Sequence, residues 1–182
     1  MSILLLSIGH INQEILERLA KNLKVVFHNK VSIGKEILVP ESCFNKSKNQ
    51  YLATAIGNEI FTNKEYREYE RILGIINHDL YVPELNFIFG IAFYRIALIS
   101  LARLYQGFYS LKEDKELFHK RTLKEAVHEL GHTYGLNHCK NKKCVMFFSN
   151  SLSDTDRKDS IFCKRCHNKL KLDYPKKINI EY

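Results

Sequence analysis

His128-Glu129-Leu130-Gly131-His132-Thr133-Tyr134-Gly135-Leu136-Asn137-His138 is the stretch on which the reading of this 182-residue chain turns. Residues four apart share one face of a helix, so His128 and His132 can aim imidazole nitrogens at a single ion. Gly135 has no Cβ and takes a left-handed conformation without strain, which lets the chain break sharply from the helix. That break brings His138 back as a third ligand. Three protein ligands leave a fourth position open to water, the arrangement of a catalytic zinc rather than a structural one. Glu129, next to the first ligand, is the natural general base for water that the metal has made acidic. The same metal polarises a scissile carbonyl, so the reaction class is amide hydrolysis. The plain structural alternative is an amphipathic helix burying its histidines, and three such rings are expensive to satisfy without a metal.

Working outward, residues 115–134 read as one long helix with Gly135 as its stop. Upstream, residues 3–8 read as a strand, and Ile11, Ile15, Leu16 and Leu19 line one face of a following helix. Residues 23–27 read as a second strand, 35–40 as a short extended segment and 49–61 as a helix. Residues 71–77 and 86–93 suit two strands and a turn, being rich in β-branched and aromatic residues and separated by Pro83. Residues 95–101 fit a strand or the start of a helix. This order predicts an α/β (α+β) fold with a mixed, twisted sheet and helices packed on it. After Gly135 the chain turns polar and loses periodicity, which predicts a small irregular subdomain. The expected division is a single domain over 1–182, with an upper part at about 1–135 and a lower part at about 136–182.

A 45% hydrophobic content excludes a disordered or collagen-like chain. No apolar run approaches the roughly 18–20 residues a bilayer span needs, and the apolar start fits a strand better than a leader, so a cytoplasmic monomer with no membrane contact is expected. The net charge of +8 invites a nucleic-acid reading, which a lysine-rich surface explains as well. A basic lower lobe with Lys164, Arg165, Lys169 and Lys171 supports a rival assignment as a two-zinc binding module. An intact Glu129 argues against it. A zinc hydrolase of small amides is the other rival.

Four of the five cysteines, Cys139, Cys144, Cys163 and Cys166, fall in two close pairs in the last quarter. This is ligand arithmetic for a closed tetrahedral structural zinc, with two disulfides or free thiols as the alternatives. Arg157, Lys158, Lys164 and Arg165 are placed to offset the thiolate charge. Cys139 directly follows His138, so a metal held there would fix the chain where it returns from the catalytic site. Cys43 stands apart as a buried or loop thiol, and His10, His28, His78, His119 and His167 lack ligand spacing among themselves. If residues 86–92 form the edge strand of the cleft, an extended peptide can add to them by strand pairing. Phe147, Phe148 and Leu152 would line a pocket below the metal or fill the core.

The pattern His-Glu-x-x-His-x-x-Gly-x-x-His is that of the metzincins. With Cys139, Cys144, Met146, Cys163 and Cys166 it resembles the signature of one branch, the archaemetzincins, and residues 79–83, 86–92 and 148–152 look familial as well. The resemblance is weakest in the first forty residues. It implies a compact, propeptide-free zinc metalloprotease with a backing helix, an active-site helix and a zinc-stapled lower part. It implies His128, His132 and His138 as catalytic-zinc ligands, Glu129 as base, Met146 as the residue of the methionine turn, and the four cysteines as a second zinc site. The substrate would be a peptide or protein. No tyrosine is identified as an oxyanion stabiliser.

Overall fold

The structure is a computed structural model that describes residues 2–170. In chain order its regular elements are β1 (Ser2–Ile8), α1 (Gln13–Phe27), β2 (Lys30–Ile33), β3 (Phe44–Asn45), β4 (Gln50–Leu52), α2 (Ala53–Thr62), β5 (Arg71–Ile76), β6 (Leu80–Val82), β7 (Leu85–Ile88), β8 (Gly90–Phe93), β9 (Ile96–Ser100), α3 (Lys115–Thr133), α4 (Leu152–Arg157) and α5 (Lys164–Leu170). A five-stranded sheet runs in the order β2-β1-β5-β9-β8, and a four-stranded sheet in the order β3-β4-β6-β7. The large sheet is parallel except for β8, which pairs antiparallel with β9 and forms its edge. The mixed α/β architecture is the one the sequence predicts.

Strand alternation explains how the layers assemble. In β1, Ile3 and Leu5 face a core shared with α1 and α3, whereas Leu4, Leu6 and Ile8 face a second core with α2. β5 and β9 divide in the same way: Leu73, Ile75, Ala97 and Ile99 face the first core, and Ile72, Ile76, Ile96 and Leu98 the second. A sheet covered on both faces needs continuously apolar strands, which is why β1, β5 and β9 show little polar alternation. Each fully buried aliphatic side chain contributes about 1.5–3 kcal/mol by removal from water. The first core also takes in Leu136, Val145, Met146 and Phe162, so it continues beneath the segment after α3.

Several sequence expectations are corrected. Residues 23–27 are not a strand but the last turns of α1, which continues to Phe27 with Leu23, Val26 and Phe27 buried in register with Leu16 and Leu19. Asn12 caps its start by accepting from the Glu14 amide, and left-handed His28 ends it. The true second strand is β2. Residues 49–61 divide into strand β4 and helix α2. Residues 86–93 are not one strand: the chain leaves β7 in the small sheet and enters β8 in the large one. Residues 95–101 resolve as strand β9. The segment after Gly135 holds two short helices, α4 and α5. Lys171 of the basic lobe lies outside the described residues. Among the described residues no helix is long and apolar enough to cross a membrane.

Candidate functional site

Helix α3 carries the first two histidines. Asp114 caps it by accepting from the Leu117 amide at 2.9 Å. Its far end is closed by paired bonds, Gly135 N–H to His132 O at 2.9 Å and Leu136 N–H to Gly131 O at 3.1 Å, with Gly135 at φ +83°. This is the Schellman turn that glycine permits at low cost. The turn also positions a ligand. Leu136 O, just past Gly135, accepts from His132 Nδ1 at 2.7 Å, and Val145 O accepts from His128 Nδ1 at 2.7 Å.

Those two bonds decide the tautomers. A carbonyl only accepts, so both δ nitrogens carry the proton and both ε nitrogens present lone pairs. The two Nε2 atoms lie 3.1 Å apart, and one ring nitrogen of each of His128, His132 and His138 falls within 4.8 Å of the others. Lone pairs this close repel unless a cation sits between them. A tetrahedral zinc with bonds of about 2.0–2.1 Å places its ligand nitrogens about 3.3 Å apart, so the cluster fits that ion. Burial, opposed by the Val145 bond and reinforced by Lys158, pushes His128 well below its usual pKa. Burial also lowers His132 and His138, so all three rings favour the neutral, ligating form at neutral pH.

Glu129 is 6% exposed and lies beside this cluster. Burial foremost, then the nearby Glu125 carboxylate, push it up to about 8, with Lys158 opposing. Gly90 of β8 packs directly on it: a Cβ there would stand 2.6 Å from Glu129 Cγ. Beneath the helix, Met146 is fully buried, and Gly131 leaves room for its sulfur, since a Cβ on Gly131 would lie 2.5 Å from Sδ. Cys139 N–H donates to Met146 O at 2.8 Å, tying the chain just after His138 to the methionine segment.

The four cysteines converge as well, their sulfurs within 4.8 Å of one another. Cys139 and Cys163 sulfurs are 3.8 Å apart. This is far beyond a disulfide at about 2.05 Å and equal to the edge of a zinc tetrahedron built on bonds of about 2.3 Å. All five cysteines, Cys43 included, are free thiols. Burial pushes the Cys163 thiol up, but hydrogen bonds from the Cys166 backbone and the other three thiols outweigh it and bring it to about 7. Of the basic residues expected to balance the thiolates, Arg165 does so directly, with Nη2 3.4 Å from Cys139 Sγ. Lys158 does not. It is wholly buried and pairs with Glu125 at 3.0 Å.

A cleft of about 470 Å³ opens over the three histidines and Glu129, walled by Gly90, Ile91 and Ala92 of β8 and by Phe148. Among the described residues β8 hydrogen-bonds to β9 on one side only, and its other edge borders the cleft. The β6–β7 hairpin above is braced from behind. Arg103 grips Asp79 with two bonds of 2.7 Å and stacks 4.0 Å over Phe87, while Gln50 Nε2 donates to Asp79 and to Asn86 O. Sequence reasoning missed Glu125, placed Lys158 at the cysteines instead of beside Glu125, and took Gly90 only as part of the edge strand. Glu125 had a signal, since it sits four residues before Glu129 on the same helix face. Lys158 had none beyond its charge.

Comparison with known proteins agrees with this geometry. The sequence matches peptidase family M54 over residues 2–172. It is 43% identical to the archaemetzincin of Pyrococcus furiosus over 176 residues, covering 92% of this chain and 91% of that one. It is likewise 43% identical to the archaemetzincin of Methanocaldococcus jannaschii over 172 residues, covering 93% of both. Among solved structures, the archaemetzincin of Methanopyrus kandleri superposes with a TM-score of 0.82 at 40% identity, covering 94% of this chain and 93% of that one. A zinc-dependent peptidase from Methanocorpusculum labreanum gives 0.83 at 28% identity, covering 93% and 100%. This chain therefore belongs to peptidase family M54, the archaemetzincin family of zinc metalloproteases.

Proposed function

We propose that the protein hydrolyses peptide bonds in an extended polypeptide, with His128, His132 and His138 holding a catalytic zinc and Glu129 acting as general base. The observation that carries this reading is the convergence of three neutral imidazoles on one point beside a buried carboxylate, at the floor of an open cleft. The zinc supplies an acidified water and a Lewis acid for the scissile carbonyl. Glu129 takes the proton from the attacking water and hands it to the leaving amine. A carboxylate held beside the reacting water can serve in both directions. The free edge of β8 aligns the peptide backbone, as strand addition requires. Cys139, Cys144, Cys163 and Cys166 hold a second, structural zinc, with Arg165 offsetting part of its thiolate charge. Met146 supports the metal-binding helix from below through Gly131.

The test is a digest of a diverse peptide mixture by the zinc-loaded protein and by a Glu129→Ala control, read by mass spectrometry. Cleavage by the wild type alone supports the reading, and the product ends report the specificity. Equal cleavage by both would remove Glu129 from the mechanism. Cleavage by neither, with both metals bound, would favour the binding-module alternative.

A further inference from the structure

The basic excess of the chain is concentrated in one part of it. Residues 1–136 carry seventeen lysines and arginines against fifteen acidic residues, whereas residues 137–170 carry eight against three. The four cysteines gather that excess in space. Their sulfurs lie within 4.8 Å of one another, so the loop from Cys139 to Cys144 and the start of α5 beside Cys163 form one knob. Asp159 N–H donates to Lys143 O at 2.9 Å and Val145 N–H to Ile161 O at 3.1 Å, which lays the segment after α4 along the same loop. Lys140, Lys142, Lys143, Arg157 and Lys164 are all exposed there. Few carboxylates balance them. Asp156 is gripped by Arg121, and Asp154 accepts from Ser151 and the Asn150 amide and touches Arg157 only at 3.9 Å. Asp159 is the remaining exposed carboxylate of the knob. A tetrathiolate zinc would add a charge of about −2, part of it met by Arg165 at 3.4 Å from Cys139 Sγ, and the exposed cations outnumber what is left.

Both legs of the Cys139–Cys144 loop run into the cleft wall. One starts at His138 and the other continues through Met146 to Phe148, and His138 and Phe148 both line the cleft. Cys139 N–H, donating to Met146 O at 2.8 Å, holds the legs together. Lys140 follows His138 by two residues, so their Cα atoms are at most about 7.6 Å apart. An extended peptide leaving the cleft on that side, at about 3.3 Å per residue, reaches the basic surface a few residues from the bond to be cut.

We propose that this basic knob is an exosite that captures an acidic stretch of the polypeptide substrate flanking the scissile bond. The inference rests on the peptidase reading of the neighbouring cleft. A surface of one sign at the rim raises the local concentration of an oppositely charged chain and speeds its capture, most strongly at low salt. Nucleic acid carries the complementary charge too. Yet apart from Phe148 in the cleft wall, no exposed Phe, Tyr or Trp lies between residues 139 and 170 to stack the bases of a single strand. Continuity with the cleft favours a polypeptide.

The test uses peptides that share one core and are extended at either end, through a Gly-Ser spacer, by four glutamates, four glutamines or four lysines. Two readouts are taken on zinc-loaded protein at low and at physiological salt: kcat/KM for the wild type, and fluorescence-anisotropy binding to Glu129→Ala. Three or four exposed ion pairs, each a factor of about two, make about tenfold. At one end, therefore, the glutamate tail should exceed the glutamine tail by about tenfold in both readouts, acting through KM, and the gain should shrink as salt rises. In Lys140→Ser/Lys142→Ser/Lys164→Ser that ratio should fall toward one, and in Lys140→Arg/Lys142→Arg/Lys164→Arg it should persist. The wild-type and Glu129→Ala comparisons decide the matter even if the serine variant misfolds. Glutamine or lysine tails matching glutamate at both ends would overturn the proposal, as would an undiminished glutamate preference in a folded serine variant. A 20-base-pair DNA duplex that binds more tightly than the glutamate-tailed peptide, and loses that binding in the serine variant, would give the surface to nucleic acid and overturn it too. Preferential binding of the glutamate tail without cleavage of any peptide would keep the exosite and sink the peptidase reading. Cleavage without preference would do the reverse. No binding and no cleavage of any peptide would overturn both.

Discussion

Gly90→Ala should silence this protein without emptying its proposed metal sites. An added methyl at Gly90 would stand 2.6 Å from Glu129 Cγ, 2.9 Å from Glu129 Oε1 and 2.9 Å from Leu98 O. Carbon contacts settle at about 3.5–4.0 Å, so something must move by about 1 Å. The Leu98 carbonyl belongs to β9, which is locked between β5 and β8, and cannot retreat. Glu129 must therefore give way. A displacement of about 1 Å at a reacting group costs about a hundredfold in rate, equivalent to about 2.7 kcal/mol on the barrier. The three atoms nearest the methyl belong to Glu129 and Leu98, not to His128 or His132, so zinc content should match the wild type. Overpacking should cost about 1–3 kcal/mol of stability. The assay is kcat/KM on a peptide identified in the digest, with zinc per chain measured on the same sample. Wild-type kcat/KM in a folded, fully zinc-loaded variant would refute the argument, showing either that β8 yields or that Glu129 is not the base.

Three other predictions follow from the site and its supports. Lys158→Met strands Glu125 in the interior and should cost about 3–5 kcal/mol in urea denaturation of the zinc-loaded protein, whereas Glu125→Gln/Lys158→Met should recover most of that; a double variant as unstable as the single one would mean the buried pair is not the cause. Cys144→Ser should lose the proposed second zinc and, because Cys139 adjoins His138, weaken the proposed catalytic zinc by about ten- to a hundredfold in chelator competition; unchanged affinity would uncouple the two sites. Burial foremost, with Glu70 adding and Arg71 and Asn29 opposing, pushes Tyr134 up to about 12, above the unfolded phenol at about 10. Its contribution is then complete below pH 10 and declines between pH 10 and about 12, so Tyr134→Phe should show a shallower alkaline loss in thermal melts over that window, and an identical slope would contradict the assignment.

What could be read from the sequence is what the chain encodes locally. His128, His132 and Glu129 are placed by the period of one helix, and His138 by a turn only three residues beyond Gly135. The close cysteine pairs are local in the same sense. Errors began where long-range packing decides. Val25, Val26 and Phe27 have the composition of a strand, but Leu23, Val26 and Phe27 continue the buried face set by Leu16 and Leu19, and that packing overrides propensity. Nothing local in residues 86–93 says that the chain changes sheets at Phe89.

Lys158 carries the same lesson into the site. In a count of charges it is one more basic residue near the cysteines. In the fold it is wholly buried and tied to Glu125, on the helix face that also carries Glu129. An ionised lysine in the interior is tolerated only when paired, so its presence ties the segment after α4 to the helix that carries the metal ligands. Burial is the main reason His128, His132 and His138 resist protonation and Glu129 resists ionisation; Lys158 adds to the first effect and opposes the second. The motif names the groups proposed to meet the substrate. Part of the potential in which they work comes from a residue outside the motif, and only the fold brings it there.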